Sequence, residues 1–211
     1  MDDRKADRTA ELALLAGGVA IGSVCSLAVY FAVGGPFGTI NDLGNATTGV
    51  LSACLAWRLR SVISGRRRTL STAAAVAGGA LTVAGSALVL SGTTSFVLAG
   101  LVSGVGFAAI GAWLIVLNAE DGTRHISSRR TRGVGATAGA LMLAGIVGLP
   151  AITLRLDDMT SLPASAWVAF VAWLGTYVVY PAWAIAFGLA PRQARDPRPG
   201  TSRTITSTLS D

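Results

Sequence analysis

The sequence predicts an all-α, polytopic integral membrane protein: a six-helix transmembrane bundle with both termini in the cytoplasm. Three observations predict it. The chain has 211 residues, of which 52% are hydrophobic and only 13% charged, whereas soluble domains carry about 25% charged residues. Six apolar stretches each approach the ~20 residues that cross a ~30 Å hydrocarbon core as a helix. Sixteen of the seventeen Lys and Arg residues fall in alternate polar segments between those stretches, and the exception is Arg155.

The elements follow in order. Residues 1–11 read as a cytoplasmic N-tail carrying Arg4, Lys5 and Arg8 among four acids. Helix one is expected over 12–33. It is long for the apolar core of a signal peptide and no small-residue cleavage site follows, so it reads as a retained helix. GGPFGT (34–39) holds no basic residue. Helix two is expected over 40–59, followed by a segment with Arg58, Arg60, Arg66, Arg67 and Arg68. Helix three covers 70–90, and the uncharged SGTTS allows a tight hairpin into helix four at 96–117. The next loop holds Arg124, Arg129, Arg130 and Arg132. Helix five covers 133–154, and a loop with Arg155, Asp157 and Asp158 leads to helix six at 164–190. Residues 191–211, rich in Arg, Pro, Ser and Thr, cannot bury a core and read as a disordered cytoplasmic tail.

Alternating spans place basic counts of three, five, four and four on one side and Arg155 alone on the other. The positive-inside rule makes the basic side cytoplasmic. The transmembrane domain is therefore 12–190 in a bacterial inner membrane, the bacterial origin resting on heavy Ala and Gly use and on one Lys against sixteen Arg. Six helices need ~120 residues, which leaves no room for a second soluble domain. A pI near 10.3 suggests nucleic acid, but basic residues that flank apolar spans answer to topology and anionic headgroups instead. The expected partners are membrane lipids and an unidentified small solute or protein, with a homo-oligomer left open and nucleic acid excluded. Cys25 and Cys54 both lie in apolar spans and read as small packing residues rather than a disulfide.

The sharpest local pattern opens helix two. Asn41, Asn45, Thr48 and Ser52 recur at helical spacing and share one face, with Leu43, Val50 and Leu51 turned away. In lipid such a face points into the bundle or into water. Either it lines a cavity open to the outside with Asp42 at its mouth, or it hydrogen-bonds a neighbouring helix. Asp42 has a structural reading of its own, since Thr39-x-x-Asp42 matches a capping box. Arg155 pairs either with Asp42 across the outer mouth or with Asp157 or Asp158 beside it.

Helix six carries Trp173, Tyr177 and Tyr180 at helical spacing, either as core or as part of a site, and two phenolic hydroxyls in hydrocarbon need partners. Pro181 and Pro150 should bend helices six and five by freeing the carbonyls of Tyr177 and Ile146. Trp57, Trp113 and Trp167 are expected at the interfaces. Gly18/Gly22, Gly100/Gly104 and Gly135/Gly139 have the spacing that lets helix backbones approach.

Enzyme chemistry is not expected. His125 is the single histidine and sits in a loop, so neither a two-histidine metal site nor a membrane-embedded base for Ser103 can form. No phosphate-binding or dinucleotide fingerprint is present, and no cofactor is expected. The candidate ligand-binding residues are Asn41, Asp42, Asn45, Thr48, Arg155 and Tyr177. They would serve a small solute or ion in an outward-facing polar pocket. The alternative is a non-catalytic structural or regulatory component that contacts lipids or a cytoplasmic partner.

Overall fold

The computed structural model describes residues 3–154 and 171–195. The long helices are α1 (Asp3–Val33), α2 (Phe37–Leu59), α3 (Gly65–Leu90), α4 (Phe96–Ala119) and α5 (Arg129–Leu143). A 3-10 turn (Ala144–Gly148) joins α5 to the short α6 (Leu149–Thr153). After the undescribed stretch come α7 (Val171–Leu174), a π turn (Gly175–Val179) and α8 (Tyr180–Arg195). No strand occurs among the described residues.

Local chemistry explains the ends. Gly34 and Gly35 both take positive φ, 69° and 72°, and with Pro36 they turn α1 into α2. The amide of Ile40 bonds the Pro36 carbonyl at 3.1 Å. The helix thus starts before Thr39, which lies inside it with no side-chain cap. The expected capping box is not formed, and Asp42 lies about 8 Å along the helix from its first residue at 1.5 Å per residue. α3 ends on Gly92 in the left-handed region (φ 68°), where a Cβ would be strained. Ser95 and Ser128 cap α4 and α5 by accepting from the amides of Val97 and Thr131.

Two expected boundaries move. The N-tail belongs to α1, which is helical from Asp3, and Thr9 and Ala10 are already buried. α8 continues to Arg195, five residues beyond the expected end of helix six. Helix six's expected start at 164, Arg155, Trp167 and the tail after 195 lie outside the described residues.

Consecutive helices pack side by side, and α8 closes the ring against α5 and α1. Every neighbouring pair runs antiparallel: Gly44 meets Ser23, Gly79 meets Gly49, Gly106 meets Gly78, Gly139 meets Gly111, and Gly188 meets Ala10. All basic residues of the described segments therefore fall at one end, here the basic end, and Asp42 falls towards the other.

Five helical segments are long and apolar enough to cross a membrane: Ala6–Val33, Gly65–Leu90, Phe96–Ala119, Arg129–Thr153 and Val171–Ala190. The expected second span, α2, is not among them. At 23 residues it has the length, but Asn41, Asp42, Asn45, Thr47, Thr48, Ser52 and Arg58 lower its apolarity.

The core is densest towards the basic end, around Leu55, Leu59, Ile63, Ile110, Trp113, Leu114, Leu117 and Trp183, all fully buried. Trp113, expected at an interface, is in this core with its ring edge-on to Trp183 at 6.2 Å. Trp57 is exposed. Cys25 and Cys54 are free and exposed, facing outward rather than packing inside. Of the three glycine spacings, Gly135 and Gly139 are pressed against neighbours, whereas nothing lies near the Cβ positions of Gly18, Gly22, Gly100 and Gly104.

Candidate functional site

The polar face of α2 points inward. Asn41, Asn45, Thr48 and Ser52 are all buried, while Leu43 and Val50 are exposed. The sequence dictates this: a helix packed in a bundle turns its hydrogen-bonding side chains towards partners and its apolar ones outward. The partners come from α1 and from the π turn. The Asn41 amide donates to the Ser23 carbonyl (3.0 Å) and hydroxyl (2.9 Å). The Ser23 hydroxyl lies 3.1 Å from Asn45 Oδ1 and 3.0 Å from the Asn41 carbonyl. Asn45 Nδ2 donates to Asn41 Oδ1 (3.2 Å) and to the Tyr177 hydroxyl (2.9 Å).

Two turns deeper, the Ser52 hydroxyl donates to the Thr48 carbonyl (2.7 Å) and meets the Tyr180 hydroxyl at 2.6 Å. Both expected phenol partners therefore exist, and both lie on α2. Thr48 spends its hydroxyl on the Gly44 carbonyl at 2.8 Å and does not line the cavity described next. On the α3 side the Ser86 hydroxyl donates to the Asp42 carbonyl at 2.7 Å.

Asn41, Asp42, Asn45 and Tyr177 come together on a cavity of about 30 Å³ that is shared with α4 and α7. Ser103, Thr176, Phe96, Phe107 and Trp173 complete its polar and aromatic walls. Trp173 stands edge-on to Tyr177 at 6.2 Å and to Phe96 at 6.4 Å. One water needs roughly 10–15 Å³ of such space, so the cavity admits an ion or one or two waters but no organic solute. Asp42 is half-buried on this wall. Among the described residues no donor bonds its carboxylate and no cation pairs with it, and Arg155, one of whose two candidate pairings is with Asp42, lies outside them.

Two helix interruptions flank the cavity. The 3-10 turn before Pro150 brings Gly145 against the Gly104 backbone, and Gly104 lines the cavity. The π turn ends where the Tyr180 amide bonds the Gly175 carbonyl, one residue before Pro181, and it carries Thr176 and Tyr177. Each proline, where a bend was expected, thus adjoins a stretch that departs from α-helical bonding, and π turns are frequent at functional sites. The arrangement offers oxygen atoms to a small hard ligand. Among the described residues no group of three His, Cys, Asp or Glu side chains converges on a metal site.

Sequence reasoning missed Ser23, Ser86, Ser103 and Thr176 as members of this region, because an isolated Ser or Thr in an apolar helix carries no periodic signal. It also missed a contrast at the basic end. The indole nitrogens of Trp113 and Trp183 and Oδ1 of Asn118 are buried without a hydrogen-bond partner. Asn118 and Trp183 both press on the backbone of Gly135.

Five long apolar helices in an antiparallel ring make this, by length and composition, an α-helical multi-pass membrane protein. No family model, curated protein or solved structure matches the chain.

Proposed function

We propose that the protein is a non-catalytic, six-span component of a bacterial cytoplasmic membrane that binds a small monovalent cation, the proton included, at Asp42. α2 serves as the sixth span. Its polar face is tolerated because α1, α3 and α8 cover it, and a span needs an apolar surface only where it meets lipid. The gathering of the described basic residues at one end supports the N-in, C-in orientation, which puts the cavity towards the outside.

One observation carries the ligand class: a half-buried carboxylate without a described partner borders a cavity of about 30 Å³. A carboxylate within a membrane domain calls for a positive partner, and the space admits only a small one. The hydroxyls of Ser103, Thr176 and Tyr177 add further oxygens, and the two interrupted helices resemble the discontinuous spans that hold coupling ions in transporters.

The test is the melting temperature of the purified full-length protein, with sodium, lithium or potassium chloride replacing choline chloride at constant ionic strength, and over a pH series. Stabilisation by at least one alkali cation or by acidification is expected, and Asp42→Asn should remove it. An unresponsive wild type, or an Asp42→Asn protein that responds like wild type, overturns the reading.

The completeness of the Ser23–Asn41–Asn45–Tyr177 network favours a second reading. Here the stripe only locks α1, α2 and the π turn together, and the protein is a structural or regulatory component. That reading gains if cations have no effect while Asn45→Leu still destabilises.

A further inference from the structure

We propose that a groove on the outer surface of the α2–α3 pair, at the basic end, binds an anionic glycerophospholipid. This rests on the membrane reading and is independent of the cation site. The groove holds about 320 Å³ and is lined by Ala53, Cys54, Trp57, Arg58 and Val76. Its floor is apolar and faces away from the bundle: Cys54 is exposed, Val76 is 45% exposed and Trp57 is 57% exposed. Such a surface in the hydrocarbon region is covered by an acyl chain.

The charge at its mouth selects the headgroup. Arg58 forms part of the wall, in the last turn of α2. The Arg60 guanidinium lies 4.0 Å from the centroid of the Trp57 ring, a cation–π contact that holds it beside the groove. The stretch 57–68 carries five arginines and no acid, and Asp121 of the neighbouring loop is engaged by Arg124 at 3.0 Å. Two guanidinium groups beside an apolar trough match a phosphate with its chain below it, since the guanidinium fork suits phosphate oxygens. A tryptophan at this level is also the usual interfacial anchor. A zwitterionic headgroup would bring its own cation to the arginines, so the site should discriminate by net charge.

Tryptophan quenching by lipids with brominated acyl chains reads this contact directly. The full chain is reconstituted in phosphatidylcholine vesicles containing an equal small fraction of brominated phosphatidylglycerol or brominated phosphatidylcholine. Quenching should be several-fold stronger with the anionic lipid, and Trp57→Phe should remove that excess. Arg58→Gln with Arg60→Gln should bring the anionic lipid down to the phosphatidylcholine level. Arg129→Gln with Arg130→Gln, which removes the same charge from the first turn of α5, should leave the excess intact. Equal quenching by the two lipids in the wild type, or an equal loss in the Arg129/Arg130 pair, overturns the site.

Discussion

The two halves of the bundle hold their helices together in different ways. Towards Asp42, α1, α2 and the π turn are joined by hydrogen bonds among Ser23, Asn41, Asn45 and Tyr177. The helices there are interrupted at residues 144–148 and 175–179, and a cavity remains. Towards the basic end the helices are continuous, the aromatic and aliphatic core is tight, and six buried polar side-chain atoms find no partner among the described residues. A hydrogen bond is directional and fixes a few atoms, which leaves space beside it. Packing fills space and tolerates an orphaned polar atom when enough apolar contact offsets its cost. The polar half therefore keeps the space in which the proposed cation would sit, and the packed half is where stability should be most sensitive to volume.

The largest effect should follow from volume in the packed half. A side chain at Gly139 would run into the Gly111 carbonyl and the Ile115 side chain. Backbone cannot yield as a side-chain tip can, so Gly139→Leu should cost well over the ~1–3 kcal/mol of ordinary overpacking and prevent recovery of folded protein. The check is the yield of monodisperse protein and its resistance to denaturing detergent. Recovery at wild-type level would mean that the α4–α5 contact is looser than the backbone approach implies.

The next comparison sets two buried asparagines against each other. Asn45→Leu removes bonds to Ser23, Asn41 and Tyr177 and leaves the buried Asn41 Oδ1 without its partner, which should destabilise by about 2 kcal/mol. Asn118→Leu gives up one bond to the Leu114 carbonyl of its own helix and also removes an orphaned oxygen. It should be neutral or slightly stabilising, because replacing an unsatisfied polar group by an apolar one of similar shape removes a desolvation cost. Unfolding titrations in mixed detergent measure both. Equal losses at the two positions would erase the distinction between the halves.

How much of this was legible in the sequence follows the same division. The face of α2 was legible, because a helical period specifies which side chains share a side, and Asn41, Asn45, Thr48 and Ser52 are all buried. The places where the prolines disturb their helices were legible too, since a missing amide acts locally. The partners were not: Tyr177 and Asn45 are 132 residues apart, and only the closure of α8 against α1 brings them together. Trp113 was misplaced because its depth can be read from sequence but its rotation about α4 cannot. Thr39 was misread as a cap because Gly34, Gly35 and Pro36 start the helix earlier than the polar pattern does. The sixth span remained ambiguous for a related reason, as the residues that define the site are those that lower the apolarity of α2.

The two tyrosines refine the polar half. Tyr177→Phe loses the acceptor for Asn45 Nδ2, although that amide keeps its bond to Asn41. Tyr180→Phe loses the contact with Ser52, whose hydroxyl still bonds the Thr48 carbonyl. Each should cost about 1 kcal/mol, within the range for interhelical bonds in membranes, in the same unfolding titration. Only Tyr177→Phe should also alter the cation response, because Tyr177 lines the cavity and Tyr180 does not. A matching change in both variants would indicate a general loosening rather than a local site.

The smallest expected effect lies on the outside of α1. Gly18 and Gly22 have the spacing of a helix-dimer motif, but nothing lies within 4 Å of either Cβ position, and Leu15 and Ile21 beside them are exposed. Among the described residues of one copy, a side chain at position 18 therefore meets no neighbour. Gly18→Leu also removes a glycine from a helix interior, which by propensity gains up to about 1 kcal/mol and in a span already enclosed by lipid gains less. Unfolding stability should stay within ~0.5 kcal/mol of wild type, and the mass of the particle by light scattering should not change. A drop from dimer to monomer in Gly18→Leu would instead place a second copy of α1 on this face and give the glycine spacing the role that packing within one chain does not.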